Sequence, residues 1–86
     1  MLQYLNLYEI YLKNEKKATI NTIQSYKRDI MQFISFLKDK GITEIDKVTQ
    51  EDITSYISSL KEKQRSNATI TRNIASLKSF FKYFCF

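Results

Sequence analysis

The side chains best suited to chemistry lie on one face of the last predicted helix. Apolar residues at positions 70, 74, 77 and 81 share one helical stripe. The residues turned away from that stripe are small, polar or basic: Arg72, Ala75, Ser76, Ser79 and Lys82. Small side chains let a helix approach a groove closely, and Arg donates hydrogen bonds to phosphate or guanine. This face therefore predicts contact with a polyanion.

A second polar face precedes it in the chain. Opposite the apolar stripe of residues 23–37 lie many hydrogen-bonding groups and little charge: Asn21, Gln24, Ser25, Arg28, Gln32 and Ser35. The segment 66–69 in turn presents the unpaired amides and the positive end of the last helix. A polar helix face with a few cations is most often simply solvated. Contact with an anion such as DNA is the alternative interpretation of both faces.

The net positive charge is concentrated at one end of the chain. The 86 residues contain 14 Lys and Arg and 9 Asp and Glu, a formal net charge of +5. Acids and bases balance in residues 1–60, so residues 61–86 carry the whole excess. Such an asymmetry is typical of a surface that meets nucleic acid, because basic side chains that displace counterions supply most of the sequence-independent affinity.

The composition excludes several kinds of site. His is absent and Cys85 is the only cysteine, which rules out Cys/His zinc sites, disulfide frameworks and His-based triads. No base or cluster of Arg and His surrounds a tyrosine in the sequence, so we predict no tyrosine nucleophile. We also predict no cofactor. Three features predict a cytoplasmic domain away from the membrane: the lone thiol, the lack of an apolar run of about 18–20 residues and the lack of a signal peptide.

The periodicity predicts an all-α domain. With one Gly and no Pro, the chain lacks the turn residues that many short strands need. We place four helices near residues 2–15, 20–39, 50–63 and 67–84. Thr19, Thr49 and Ser66 are predicted N-caps, and Asp52 completes a capping-box arrangement with Thr49. Gly41 is predicted to end the second helix in a left-handed conformation.

A chain of this length has room for one core, and the apolar stripes predict that much of it is aromatic. The predicted core residues, helix by helix, are Leu2, Leu5, Tyr8 and Leu12; Ile23, Tyr26, Ile30, Phe33 and Leu37; Ile53, Tyr56, Ile57 and Leu60; and Ile70, Ile74, Leu77, Phe81 and Phe84, with Phe80 beside the last stripe. Tyr4 and Tyr11 flank the first stripe. These aromatic residues are interpreted as packing groups first.

Three blocks of sequence carry a family resemblance: TINTIQSYKRDIMQF at residues 19–33, TQEDITSYI at 49–57 and SNATITRNIASLKSFFKYF at 66–84. Their order and separation resemble the N-terminal core-binding (SAM-like) domain of tyrosine recombinases, the phage integrase and Xer group. The match spans nearly the whole chain. It implies a compact four-helix orthogonal bundle, residues 1–86, that clamps core-site duplex DNA together with a separate catalytic domain.

In that family the second and fourth helices face the DNA, so the resemblance implies a set of contact residues on them. The set is Asn21, Thr22, Ser25, Arg28, Ser66, Thr69, Arg72, Ser76, Ser79 and Lys82. The resemblance implies three partners: double-stranded DNA, other recombinase subunits and the catalytic domain of the same parent. It also implies a bacterial or phage-encoded, nucleoid-associated protein in the cytoplasm. The family's nucleophilic Tyr and its Arg, Lys and His set have no counterpart in this chain, so strand cleavage by the chain alone is not expected.

A rival interpretation comes from another class of protein. In it, the chain is a small helical protein–protein interaction module that binds its partner through Tyr4, Tyr8 and Tyr11 and through the aromatic residues Phe84 and Phe86. Substitutions at Phe84 or Phe86 would then matter more than Arg72→Ala. DNA binding should instead weaken sharply on Arg72→Ala and fall with salt.

Overall fold

The computed structural model describes residues 2–85, and within that range it contains four α-helices and a short 3-10 helix. The helices are α1 (Leu2–Asn14), α2 (Ile20–Asp39), α3 (Gln50–Glu62) and α4 (Asn67–Cys85), with the 3-10 helix (Ile45–Lys47) in the connection from α2 to α3. The all-α prediction is confirmed, and each predicted helix boundary is met to within one residue. The 3-10 helix was not predicted.

The predicted N-caps explain where three of the helices begin. The Thr22 amide donates to Thr19 Oγ1 at 3.2 Å, and the Thr69 amide donates to Ser66 Oγ at 3.1 Å. At α3 the capping box is complete, because the Asp52 amide donates to Thr49 Oγ1 at 3.2 Å and the Thr49 amide donates to Asp52 Oδ2 at 2.8 Å. These bonds satisfy amides that a helix start leaves without an intrahelical partner.

Gly41 ends α2 as predicted, with a φ of 81°. Its amide donates to the Lys38 carbonyl oxygen, and the Ile42 amide donates to the Leu37 carbonyl oxygen, both at 2.9 Å. This pair of bonds is the Schellman motif, which places a left-handed residue after the helix. The ends of the other two connected helices use left-handed residues that are not glycine, Lys17 (φ 49°) after α1 and Gln64 (φ 58°) after α3.

The core lies where all four helices meet. Its buried members are Leu5, Tyr8, Leu12, Ile23, Ile30, Phe33, Leu37, Tyr56, Leu60, Ile70, Leu77 and Phe80. Aromatic rings join the helices edge to face: Tyr8 of α1 lies 5.2 Å from Phe80 of α4, and Phe33 of α2 lies 5.1 Å from Tyr56 of α3, measured between ring centroids. Such pairs add specific geometry to the apolar area they bury.

The predicted stripe of α4 packs on the core, but not every residue of it is fully buried. Phe80 is 1% exposed, whereas Ile74, Phe81 and Phe84 are only half-buried. Ile74 and Phe81 line an open groove between α4 and the start of α3, whereas Phe80 packs against Tyr8 of α1. The buried arc of α4 is therefore rotated toward Phe80 relative to the stripe of its apolar residues. On α2, Tyr26 is likewise half-buried, and the side chain predicted at Leu2 lies outside the described part of the chain.

Candidate nucleic-acid interface

The polar face predicted on α2 is open to solvent. Its exposed side chains are Asn21, Gln24, Arg28, Gln32 and Ser35, and Thr22 and Ser25 are half-buried at its edge. Arg28 precedes Asp29 by one residue and so points about 100° away from it around the helix. The helix thus offers a continuous row of hydrogen-bonding groups with one exposed guanidinium.

The outer face of α4 differs from the prediction in part. Ala75 and Lys82 are exposed, as is Ser66 just before the helix. Thr69, Arg72 and Ser79 are half-buried. Three residues that the prediction did not include are exposed on this face: Ala68, Thr71 and Lys78. The outermost line of α4 therefore runs through positions 71, 75, 78 and 82, rotated away from Arg72.

Ser76 does not face outward, so its predicted exposure is wrong. The residue is 0% exposed. Its hydroxyl oxygen lies 2.9 Å from Asp29 Oδ2 and 2.9 Å from the Arg72 carbonyl oxygen, and its one proton is available to either acceptor. α2 covers this side of α4, which is why Ser76 packs inside the domain and does not contribute to an external surface.

A buried ion pair joins α2 to α4. Asp29 is 1% exposed, and Arg72 donates to both of its carboxylate oxygens, from Nε to Oδ2 and from Nη2 to Oδ1, each at 2.9 Å. The hydrogen bonds that the Arg72 guanidinium donates to Asp29 are the largest influence on its pKa, and they raise it. The Arg72 side chain is nonetheless 39% exposed, so the pair lies at the boundary between core and surface.

Further polar groups surround this pair inside the bundle. Asn73 is 1% exposed, donates to the Thr69 carbonyl oxygen at 2.8 Å and accepts from the Tyr56 hydroxyl at 3.4 Å. Burial raises the pKa of Tyr56 to about 12, and the charge of Asp29 acts in the same direction. Buried polar groups specify one arrangement of helices only when they are paired, and here α2, α3 and α4 are linked through them.

The sequence contains a signal for this ion pair that the polar faces of the helices do not show. Asp29 lies three residues after Tyr26 and four before Phe33, which places an acid at the edge of an apolar stripe. A buried carboxylate requires donors. Arg72 and Ser76, four residues apart on one side of α4, are suitable donors, but only the packing of α4 on α2 identifies them.

A second ion pair shows that not every cation of α2 belongs to the polar face. Lys27 Nζ lies 3.2 Å from Glu9 Oε1, so this pair joins α2 to α1. Both side chains are about one-third exposed. A surface pair of this kind contributes less than about 1 kcal/mol. The Lys27–Glu9 pair lies on the side of α2 that faces α1, whereas the Arg72–Asp29 pair lies on the side that faces α4.

The α2–α3 groove adds two cations near the polar face of α2. It is lined on the α2 side by Gln32, Ser35 and Asp39, and on the other side by Lys63 and Arg65. Both cations come from the segment that carries the net positive charge. Among residues 2–85, no group of acidic or Cys side chains is placed to hold a metal ion.

The aromatic residues of α1 and the end of α4 pack on each other. Ring centroids of Tyr11 and Tyr83 are 4.3 Å apart, and those of Tyr4 and Phe84 are 5.2 Å apart. Tyr8 is 0% exposed. Tyr4, Tyr11 and Phe84 are half-buried in these contacts, whereas Tyr83 is 37% exposed. The tyrosines of α1 therefore leave less surface for the partner protein of the rival interpretation. Phe86, the other residue of that interpretation, lies outside the described residues.

Within the part of the chain that the structure describes, no helix combines the length and apolar character needed to cross a membrane.

The sequence has clear relatives. Residues 5–85 match the family described as phage integrase, N-terminal SAM-like domain. Tyrosine recombinase XerC of Listeria welshimeri is 38% identical over 81 residues, which cover 94% of this chain and 26% of the relative. Tyrosine recombinase XerC of Herpetosiphon aurantiacus is 36% identical over 83 residues, covering 96% and 27%. Tyrosine recombinase XerD of Oceanobacillus iheyensis is 36% identical over 74 residues, covering 85% and 25%.

The chain therefore spans about a quarter of the length of the curated relatives it matches. No solved structure matches it at a significant level.

Proposed function

The chain belongs to the phage integrase N-terminal SAM-like domain family, and from that membership we propose that it is the DNA-binding domain of a site-specific tyrosine recombinase. In this proposal the faces of α2 and α4 contact duplex DNA. The contact set is the one predicted from sequence, without Ser76: Asn21, Thr22, Ser25, Arg28, Ser66, Thr69, Arg72, Ser79 and Lys82. Lys78 and Thr71, which the structure exposes on α4, join it.

One observation carries the proposal. Arg72 is fixed at the contact between α2 and α4 while more than a third of its side chain remains exposed, so a cation lies beside the polar faces of both helices. Arg28 of α2 and Lys82 of α4 are exposed on the same two helices. Cations distributed over two packed helices suit a surface that tracks the phosphates of a duplex.

The polar groups around these cations suit the remaining tasks of such a surface. Asn and Ser side chains donate to phosphate oxygens or to base edges, and the exposed Ala75 lets α4 approach a groove closely. The start of α4 after Ser66 presents the positive end of the helix macrodipole to a phosphate. Binding is therefore expected to depend mainly on phosphate contacts, with a few base contacts in the groove.

The full-length relatives point to further activities of the parent protein. The relatives are named tyrosine recombinases and are about four times as long as the matched region. We propose that strand cleavage belongs to a separate catalytic domain of the same parent, which completes a clamp around core-site DNA, and that other subunits assemble on the same DNA. We place this activity in the bacterial cytoplasm, with the nucleoid. No step of that chemistry is assigned to residues of this chain.

The proposal predicts a salt-dependent affinity that Arg28 helps to set. Each phosphate contact contributes about −0.9 to the slope of log affinity against log salt concentration. Arg28→Gln is expected to weaken binding of a fluorescent duplex at every sequence tested and to reduce the magnitude of that slope by about one. Fluorescence anisotropy at a series of salt concentrations measures both quantities.

The matched control is Lys47→Gln. This substitution also removes one positive charge, but Lys47 lies in the 3-10 helix. The other two residues of that helix, Ile45 and Asp46, line a groove with Gln3 and Tyr4 at the start of α1. Lys47→Gln is expected to leave the salt slope unchanged. Equal effects of the two substitutions would mean that binding follows net charge alone, and the proposed face would be wrong.

The rival, a protein–protein interaction module, has less surface available than the sequence implied. Tyr8 is buried, and Tyr4 and Tyr11 pack against Phe84 and Tyr83. Duplex binding no stronger than a net charge of +5 explains would favour the rival over the proposed function.

A further inference from the structure

Asp29 is an acid in an unexpected place for a surface that binds DNA. It lies at the junction of the two helices proposed to face the duplex, and its negative charge repels phosphate. It is also 1% exposed, and it accepts hydrogen bonds from Arg72 Nε, Arg72 Nη2 and the Ser76 hydroxyl, all at 2.9 Å. A buried carboxylate with this many donors is fixed in position, and so is the guanidinium bonded to it.

The geometry of the pair divides the guanidinium into two edges. Two of its five N–H donors, one on Nε and one on Nη2, are directed at Asp29. Of the three remaining donors, one on Nη1 and one on Nη2 lie along the end edge of the group, and the side chain is 39% exposed. That second edge has the planar, two-donor form that matches a phosphate or the O6 and N7 atoms of guanine.

We propose that Asp29 is a positioning residue for DNA binding, which holds one edge of the Arg72 guanidinium so that the other edge is presented to the duplex. This inference rests on the proposed function and names how one of its contacts is organised. Fixing the side chain before binding removes the entropy cost of ordering a long, flexible cation in the complex. Ser76, which was predicted from sequence to contact DNA, instead lies within hydrogen-bond distance of Asp29 inside the domain.

A comparison of two substitutions separates positioning from net charge. Asp29→Asn and Asp39→Asn each remove one negative charge from α2, but Asp39 is exposed at the end of the helix and lies in the α2–α3 groove. If charge alone governs binding, both variants should bind duplex DNA more tightly than the wild type. If Asp29 positions Arg72, Asp29→Asn should bind about fivefold more weakly or worse, while Asp39→Asn binds as tightly as the wild type or tighter.

The measurement is duplex affinity by fluorescence anisotropy at low salt, on variants whose helical circular dichroism spectrum shows that they are folded. Weaker binding by folded Asp29→Asn, against unchanged or tighter binding by Asp39→Asn, supports the positioning role. Equal or tighter binding by Asp29→Asn overturns it. Absence of duplex binding by the wild type would instead overturn the proposed function, so the two failures are distinguishable.

A second variant keeps the inference testable if Asp29→Asn does not fold. Arg72→Lys retains the positive charge and a donor for Asp29, but one ammonium group cannot serve Asp29 and the duplex with the fork geometry of Arg. It is expected to weaken binding about fivefold or more with an unchanged salt slope. Arg65→Lys makes the same exchange at an exposed residue of the α3–α4 connection, outside the proposed contact set, and is expected to change affinity much less. Equal affinities of Arg72→Lys and the wild type would overturn the inference.

Discussion

Tyr8 places a hydroxyl group inside the core, where it has no hydrogen-bond partner among the described residues. Burial raises its pKa to about 12, and the neighbouring Ser79 hydroxyl offsets part of that increase. A buried polar group without a partner costs about 1–3 kcal/mol. Tyr8→Phe is therefore expected to increase the free energy of unfolding by about 1 kcal/mol in urea titrations at neutral pH. A decrease in stability would show that this hydroxyl is paired with Ser79 in solution.

The two buried tyrosines also predict how stability depends on alkaline pH. The pKa values of Tyr8 and Tyr56 are raised by burial from 10.0 to about 12 in the folded state. Between these values the unfolded chain releases protons that the folded chain retains, so stability falls as pH rises from 10 to 12. Thermal melts through this range are expected to show the decrease, and Tyr8→Phe is expected to make it shallower. Equal slopes for the two proteins would contradict this account.

Individual residues were the least predictable part of the site. The exposure of Arg28 and Lys82 followed from helical periodicity, because that pattern separates solvent-facing positions from a core stripe. Ser76 and Arg72 could not be placed this way, since they lie at the edge of the stripe and their surroundings depend on Asp29, 43 or more residues earlier in the chain. A pair formed between two helices has no periodic signature in either one.

Among the helices, N-caps mark where α2, α3 and α4 begin. Thr49→Ala removes the side-chain acceptor of the α3 capping box and is expected to lower the free energy of unfolding by about 1 kcal/mol. The control is Thr54→Ala in the same helix, where the exposed hydroxyl donates only to the Gln50 carbonyl oxygen of the preceding turn. Because Ala is the better helix former, that change is expected to be neutral or slightly stabilising. Equal losses in urea titrations would contradict the capping role.

The helices could be predicted from sequence because their signals are local. Thr19, Thr49 and Ser66 mark three starts, and Gly41 marks an end that a left-handed residue requires. The orientation of α4 was less predictable. Its apolar residues alone favour full burial of Phe81, which is half-buried. Phe80 is instead buried against Tyr8 of α1, and Ser76 against Asp29 of α2. The ends of an element depend on nearby residues, whereas its orientation depends on its neighbours in space.

For the whole molecule, the distribution of charge and the arrangement of helices point to the same surface. The sequence places the positive excess in residues 61–86, which include the α3–α4 connection and α4. The structure packs α4 on α2. It also brings two cations of this segment, Lys63 and Arg65, into the groove that the polar face of α2 borders. Family membership and the all-α fold were both predictable from sequence, because blocks spread along nearly the whole chain carry them.

NMR of the backbone amides of this chain, during titration with duplex DNA at low salt, shows whether α2 and α4 together form the DNA-binding face. This measurement detects weak binding and locates it on the structure. The account predicts shifts concentrated in residues 19–28 and 66–82, with little change in α1. Shifts confined to α1 and the end of α4, or no shifts in the two predicted ranges, would contradict it and favour a protein-interaction module.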